Sequence, residues 1–387
     1  MRLLVPTNWD PALLEPLGRL EAGIDLYGVL STSLIGTGGS SPENVDMAKG
    51  QAEEYIRQAH AAGLKFDYLL NAPSMSNMEW DRGTHRELLE HLDWICSIGV
   101  DSVTVTIPYL VELIKRQFPQ LKIRISTIAH VHNVARARFF ESLGADSINL
   151  DFHVNREFRT LKGITDAVKC EIILLANNLC LYQCPYEYYH HDGLGHASQS
   201  YNPVEGCYVD YCTIRCTLDR LKDMSQNIKC RWIRPEDLHL YEEIGIQMFK
   251  ISGRAMPTEK ILKAATAYSS RHYDGNLHDI LNVLTPKIGF INAGPPGTRT
   301  HTLAPPPELH IDNRALDGFI GFFRKQDCLS ECGHCDHCRK TAETVIRFDR
   351  NELEEYITML TGMLDSLSGS EVFEAGPENN NNPRQHR

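Results

Sequence analysis

The chain has no run of about eighteen apolar residues, so no membrane-spanning helix is expected. Its start, MRLLVPTNWDPALL, lacks the charged region, long apolar stretch and small-residue cleavage site of a secretory leader, which points to the cytoplasm. Positive charge is not in excess. Lys and Arg number 39 against 50 Asp and Glu, a formal net charge of −11. Bulk nucleic-acid binding through a broad basic surface is therefore not expected, although a local basic patch remains compatible with the sequence. Neither a G-x-S-x-G elbow nor an H-E-x-x-H helix is present, so two common hydrolytic arrangements are missing.

What the chain has in abundance is cysteine, twelve in 387 residues. In a reducing compartment, clustered thiols read as metal ligands before they read as disulfides. Six of them lie between Cys180 and Cys230, after an apolar run, Ile172 to Ala176, and before a helix-like stretch beginning near Pro235. Cys180 and Cys184 form one C-x3-C pair, and Cys212 and Cys216 another, which together supply four ligands. Cys207 is a substitute for Cys212, and Cys230 is the spare. Cys96 and Cys170 stand alone and read as small core residues.

Four more thiols, Cys328, Cys332, Cys335 and Cys338, fall within CLSECGHCDHC, with Gly333 allowing the tight fold that lets them converge. A [4Fe–4S] cluster and a structural zinc both fit that spacing, with His334 and His337 as substitute ligands for zinc. The first three also match the C-x3-C-x2-C spacing of radical S-adenosylmethionine chemistry, but that motif belongs after an early barrel strand and these lie beyond the eighth.

The first 270 or so residues alternate short apolar runs with amphipathic ones. Strands are predicted at Arg2–Pro6, Ile24–Val29, Phe66–Leu70, Ser102–Ile107, Lys122–Ile128, Ser147–Leu150, Glu171–Ala176 and Gln247–Ser252. Helices fall between them, several ending in a glycine followed by the next strand, as in SIGVDSV and SLGADSI. Near-continuous apolar strands suit parallel pairing with both faces covered. Eight βα units match a (β/α)8 TIM-like barrel, with a doubly wound sheet as the alternative. The expected organisation is a barrel over residues 1–272 with a cysteine insertion at 178–232, a C-terminal extension over 273–370, and a disordered polar tail over 371–387. Within the extension, Tyr273 to Leu284 reads as a helix, Lys287 to Asn292 as a strand and Asn351 to Leu367 as a final helix.

Chemistry in such a barrel sits where strands end. That places the insertion at the rim, together with Asn71, His130, His132, Asp151, His153, Asn177, Asn178 and Arg254. Polar residues at strand ends also simply cap helices. Arg254 stands out because a guanidinium beside a metal site holds a carboxylate or phosphate at two points. Asn177 and His196 are further candidates for substrate contact. His190, His191 and His196 read as ligands, acid–base groups or loop residues.

The stretch from Cys180 to Arg254 resembles the collagenase-like peptidase family U-32. The resemblance is carried by ANNLCLYQCP, the cysteines that follow, and WIRPEDLHLYEEIGIQMFKISGR, and it extends over roughly residues 1 to 270. It implies a barrel-like fold and a [4Fe–4S] cluster held by four cysteines. It also implies one of two activities, proteolysis or oxygen-independent hydroxylation in quinone synthesis or on RNA bases. The functional expectation is an iron–sulfur enzyme acting by redox chemistry on a small molecule or modified base, with an electron-donor protein as partner. A metal-dependent peptidase and a non-catalytic electron-transfer partner are the alternatives.

Overall fold

The computed structural model describes residues 1–30, 33–38, 47–200, 206–291, 301–326, 328 and 332–369. Eight parallel strands close into a barrel in the order β1, β2, β3, β4, β5, β6, β7, β9. They are β1 (Arg2–Pro6), β2 (Gly23–Gly28), β3 (Lys65–Leu70), β4 (Ser102–Val105), β5 (Lys122–Ile125), β6 (Ser147–Asn149), β7 (Glu171–Leu175) and β9 (Met248–Lys250). Closure is made by β9, where Phe249 pairs with Leu3 on one side and Leu174 on the other. This is the TIM-like barrel expected from the βα cadence, with strand ends within three residues of the predicted ones.

The outer layer comprises α1 (Leu14–Gly18), α2 (Lys49–Ala61), α3 (Arg82–Ser97), α4 (Pro108–Gln117), α5 (Val134–Ser142) and α6 (Phe158–Ala167), with α10 (Leu238–Glu242) and α11 (Thr258–Ser270) completing it. Their apolar stripes face inward: on α3, Leu88, Leu92 and Ile95 recur at helical spacing and are fully buried. Gly99 and Gly144 follow α3 and α5 with φ of +79° and +101°, which glycine adopts without strain at the turn into the next strand. Residues 39–46, which precede α2, lie outside the described residues.

The barrel interior carries a charged layer. Arg124 on β5 pairs with Asp25 on β2, and its Nε lies 3.3 Å from Asp67 on β3. Ser102 Oγ donates to Asp67 at 2.6 Å, and Thr104 also bonds that carboxylate. Lys250 on β9 sits 4.2 Å above the Tyr27 ring. Burial raises the Asp67 carboxyl, and Arg124 pulls it back. Burial also lowers Lys250 to about 8, against the attraction of Asp67.

The cysteine insertion is largely structured. It holds α7 (Glu187–Ala197), the short strand β8 (Gly206–Val209), α8 (Tyr211–Lys222) and α9 (Ser225–Lys229). The C-terminal extension folds back onto it. β10 (Lys287–Ile291) runs antiparallel to β8, with β11 (His301–Thr302) on its other edge. After β12 (His310–Ile311) come α12 (Ile320–Phe323), α13 (His337–Val345), β13 (Ile346–Arg347) and α14 (Arg350–Ser368). β12 pairs with β13. Leu353, Tyr356, Leu360 and Leu364 of α14 pack on Ile214, Leu218 and Leu221 of α8.

One predicted element is absent: Tyr273–Leu284 forms only a short 3-10 turn at Leu277–Asp279. Asn276 caps that turn and also bonds the backbone of Leu309 and Ile311, tying the segment to β12 instead of letting it continue as a helix. The predicted tail, 371–387, lies outside the described residues. No helix among the described residues is long and apolar enough to cross a membrane.

Candidate functional site

Cys180 and Cys184 leave β7 at the rim, Cys212 and Cys216 lie one turn apart on α8, and Cys230 follows α9. These five thiols feel one another. Burial pushes Cys180 far up, and the charges of Cys216, Glu187, Cys230 and Cys184 add to the effect. Burial likewise raises Cys184 to about 11 and Cys212 and Cys230 to about 12, and it raises Cys216 as well. Cys230, read from sequence as the spare, belongs with this group and is fully buried, donating to Gln226 O at 3.1 Å. The backbone of Cys207 lies in β8, but its side chain is outside the described residues.

The second group, Cys328, Cys332, Cys335 and Cys338, lines a single cavity of about 380 Å³ with Tyr182 and Arg231. The two groups are joined by arginines. Arg231 stacks 3.7 Å from the centre of the Tyr182 ring and lies 3.4 Å from Glu157. Burial raises Cys328 and Cys338, while Arg231 pulls the first down and Arg156 and Arg231 the second. Arg156, 1% exposed, donates to Ile228 O at 2.7 Å and Trp232 O at 3.1 Å. Burial and Arg231 lower it to about 10, with Cys338 and Cys230 acting in the opposite direction. One buried cation is thus shared by both thiol groups. Eleven cysteines are free among the described residues, so no disulfide competes for these sulfurs.

At the rim beside the first group stand His130, Asp151 and His153, all buried. His130 Nδ1 lies 3.3 Å from Asp151 Oδ2, and His153 Nε2 lies 2.8 Å from Glu187 Oε2 on α7. His153 Nδ1 accepts the Gln183 N–H at 3.2 Å, so the proton resides on Nε2 and is donated to Glu187. Burial pushes the Asp151 carboxyl up, but the bonds from the His130 side chain and the His153 backbone N–H help to outweigh it, and the net shift is downward. His132 is exposed and bonds back to the carbonyl of His130 at 2.8 Å.

Of the residues singled out for substrate contact, Arg254 stands half-buried at the end of β9, with Nη2 3.4 Å from Thr37 Oγ1 and its charge felt at Tyr27 and Lys250. His196, half-buried on α7, has Nδ1 3.1 Å from Gln199 Oε1. Asn177 is fully buried. Its amide donates to Ser252 O and Ile280 O, and its carbonyl accepts from the Ser252 backbone and hydroxyl. That arrangement commits Asn177 to bracing the rim between β7, β9 and the extension.

Sequence reading missed Glu187 and the interior charges. Glu187 and His191 are four residues apart, a spacing with meaning only on a helix, and CPYEYYHHDGLGHAS carries too little apolar periodicity to announce one. Asp67 in KFDYLL, Arg124 in KIRI and Lys250 in MFKI were visible as lone charges inside apolar strands.

Comparison with known proteins is consistent along most of the chain. The family model for peptidase family U32 matches residues 42–276. An uncharacterized protease of Methanocaldococcus jannaschii is 31% identical over 325 residues, covering 81% of this chain and 86% of that protein. The tRNA hydroxylation protein P of Escherichia coli is 26% identical over 103 residues, 26% of this chain and 21% of that protein. Among solved structures, the U32 peptidase Mk0906 aligns with a TM-score of 0.49 and 19% identity, covering 65% of this chain and 93% of that one.

Proposed function

Because the chain belongs to peptidase family U32, we propose that it is an iron–sulfur enzyme acting by redox chemistry, such as oxygen-independent hydroxylation, on a small molecule or modified base. The observation that carries this reading is that two cysteine groups, one at the barrel rim and one lining the cavity of the extension, both feel the charge of the buried Arg156. Thiols raised by burial are protonated and weakly nucleophilic at neutral pH, which speaks against a cysteine peptidase. Metal coordination removes those protons outright, and Arg156, Arg220 and Arg231 then neutralise the sulfur charge.

The described thiols are not gathered at the spacing of a zinc site. Sulfurs around a tetrahedral zinc stand about 3.8 Å apart at a Zn–S length of about 2.3 Å. Among the described residues no three cysteine sulfurs gather within 4.8 Å. A [4Fe–4S] centre, with one thiolate on each iron, spreads its ligands more widely. Cys180, Cys184, Cys216 and either Cys212 or Cys230 would hold one centre, and Cys328, Cys332, Cys335 and Cys338 a second. Such a centre would supply single-electron transfer, and because hydroxylation with oxygen taken from water withdraws two electrons and two protons from the substrate, a redox partner protein would have to accept those electrons.

The remaining groups suit a planar substrate. Tyr188 and Tyr189 on α7 are 67% and 68% exposed and offer ring faces for stacking a base beside the rim. Arg254 supplies a cation for a phosphate or carboxylate. The E. coli relative is named for hydroxylation of tRNA, which agrees with this substrate class. Anaerobic purification followed by iron and sulfide quantitation and paramagnetic resonance tests the reading. Iron and acid-labile sulfide in matching amounts are expected, and protein containing neither overturns it.

A further inference from the structure

We propose that His130, Glu187 and His191 form a binding site for one divalent transition-metal ion, separate from the thiols. Their ligand atoms all lie within 4.8 Å of one another. Two imidazoles and one carboxylate with open positions is a donor set that suits zinc or non-haem iron. The inference does not depend on the iron–sulfur reading.

Three features of the fold assemble this set. Glu187 and His191 are four apart on α7 and therefore share one helix face. His130 follows β5 in the left-handed region, φ +51°, where a histidine is uncommon, and its N–H is bonded to Thr127 O at 2.9 Å. The His130 and His191 rings are 5.8 Å apart, so both stand over the same spot.

A second set of groups holds the first. Asp151 Oδ2 lies 3.3 Å from His130 Nδ1 and orients that ring. His153 donates to Glu187 Oε2 at 2.8 Å, while Glu187 Oε1 faces His130 Nδ1 at 3.7 Å. One carboxylate oxygen is thereby fixed and the other turned toward His130.

An independent observation points to a missing ligand. His191 Nδ1 is buried and has no hydrogen-bond partner. Buried polar atoms are nearly always satisfied, and an exception calls for an explanation. Proton sharing among His130, Asp151, His153 and Glu187 accounts for the other contacts but leaves this nitrogen without a role. The ion would sit next to the first thiol group, since the charge of Glu187 is felt at both Cys180 and Cys184. Its open positions would take an oxygen donor, either water or a substrate carbonyl or carboxylate.

The test is titration of the anaerobically purified full chain, stripped of loosely held metal, with cobalt(II). One cobalt per chain is expected, with the weak visible bands of a nitrogen–oxygen set and without intense sulfur charge transfer. His191→Asn and Glu187→Gln should each weaken binding at least as much as His153→Asn, for which a loss of about 10–100-fold is expected. Iron and sulfide content should stay at the wild-type level in all three. Equal cobalt affinity in wild type and both ligand variants overturns the proposal, as does binding through sulfur alone. X-ray absorption at the cobalt edge of the wild type needs no variant. A shell of imidazole and oxygen supports the site, and a sulfur shell or no bound cobalt refutes it.

Discussion

Arg156 carries its guanidinium carbon 4.4 Å from the centre of the Trp232 ring. Phe319 and Phe323 of the C-terminal extension close over the same cation at 4.9 and 5.0 Å. The contact fastens the extension to the barrel and holds a positive charge between two groups of sulfurs. Arg156→Met leaves two buried carbonyls without donors. At about 1–3 kcal/mol for each abandoned group, a loss of roughly 2–6 kcal/mol is expected in denaturant unfolding. Removing the charge should also make the iron–sulfur centres harder to reduce, shifting their midpoint potentials to more negative values in a redox titration.

Cys332→Ala should remove one centre and spare the other, because Cys332 lines the extension's cavity and the first group lies in the insertion. Cys216→Ser should do the reverse. Iron and sulfide content falling by about half in each variant, with a different paramagnetic signal surviving, would bear this out. Total loss from Cys332→Ala would mean that the two groups assemble as one.

Asp67→Asn tests the charged layer inside the barrel. The carboxylate is fully buried and faces Arg124 and Lys250. Its removal leaves Arg124 with Asp25 alone and takes from Lys250 the carboxylate that attracts it. Breaking a buried pair costs about 3–5 kcal/mol, and a drop of that size is expected in the unfolding free energy.

His91 predicts an acid sensitivity. Burial, and then the charge of Lys49, lower it to about 4, and its Nε2 is buried without a partner. The unfolded chain takes up a proton near pH 6.5 that the folded chain refuses until about pH 4. Stability from this residue is complete above about pH 6.5 and declines as pH falls through that window. His91→Leu should lessen the loss of stability between pH 7 and pH 5 by on the order of 2 kcal/mol, read from denaturant unfolding at the two pH values.

Leu360→Ala tests how α14 docks. Leu360 is fully buried against the face of α8 that includes Ile214 and Leu218. Truncation should cost about 2–5 kcal/mol. Hydrogen exchange should show α14 and α8 losing protection together, while the barrel strands keep theirs.

The barrel was legible because its signals are local. The helix–glycine–strand cadence recurs, and runs such as VTVTI and IILL leave little choice but a strand covered on both faces. The thiol groups were legible as groups, since spacing alone drew Cys328–Cys338 together. Membership was harder to read. Cys230 joins Cys180 and Cys216 only because α9 and the turn after it bring the chain back to the end of β7, where Ile233 N bonds Ala176 O at 2.8 Å. Glu187 was hidden by a helix with two glycines, and the charged layer by strands whose lone polar residues read as interruptions. Tyr273–Leu284 went astray because Asn276 answers to β12, a partner more than thirty residues away.

The closing position of β9 sets an order of events on a growing chain. Phe249 must be made before the ring of strands can shut, so Cys180 through Cys230 emerge from the ribosome while that ring still has an open edge. Cys328 through Cys338 emerge only after it has sealed. The earlier sulfurs can therefore be loaded on an open barrel, whereas the later ones must be filled once every barrel strand has been made.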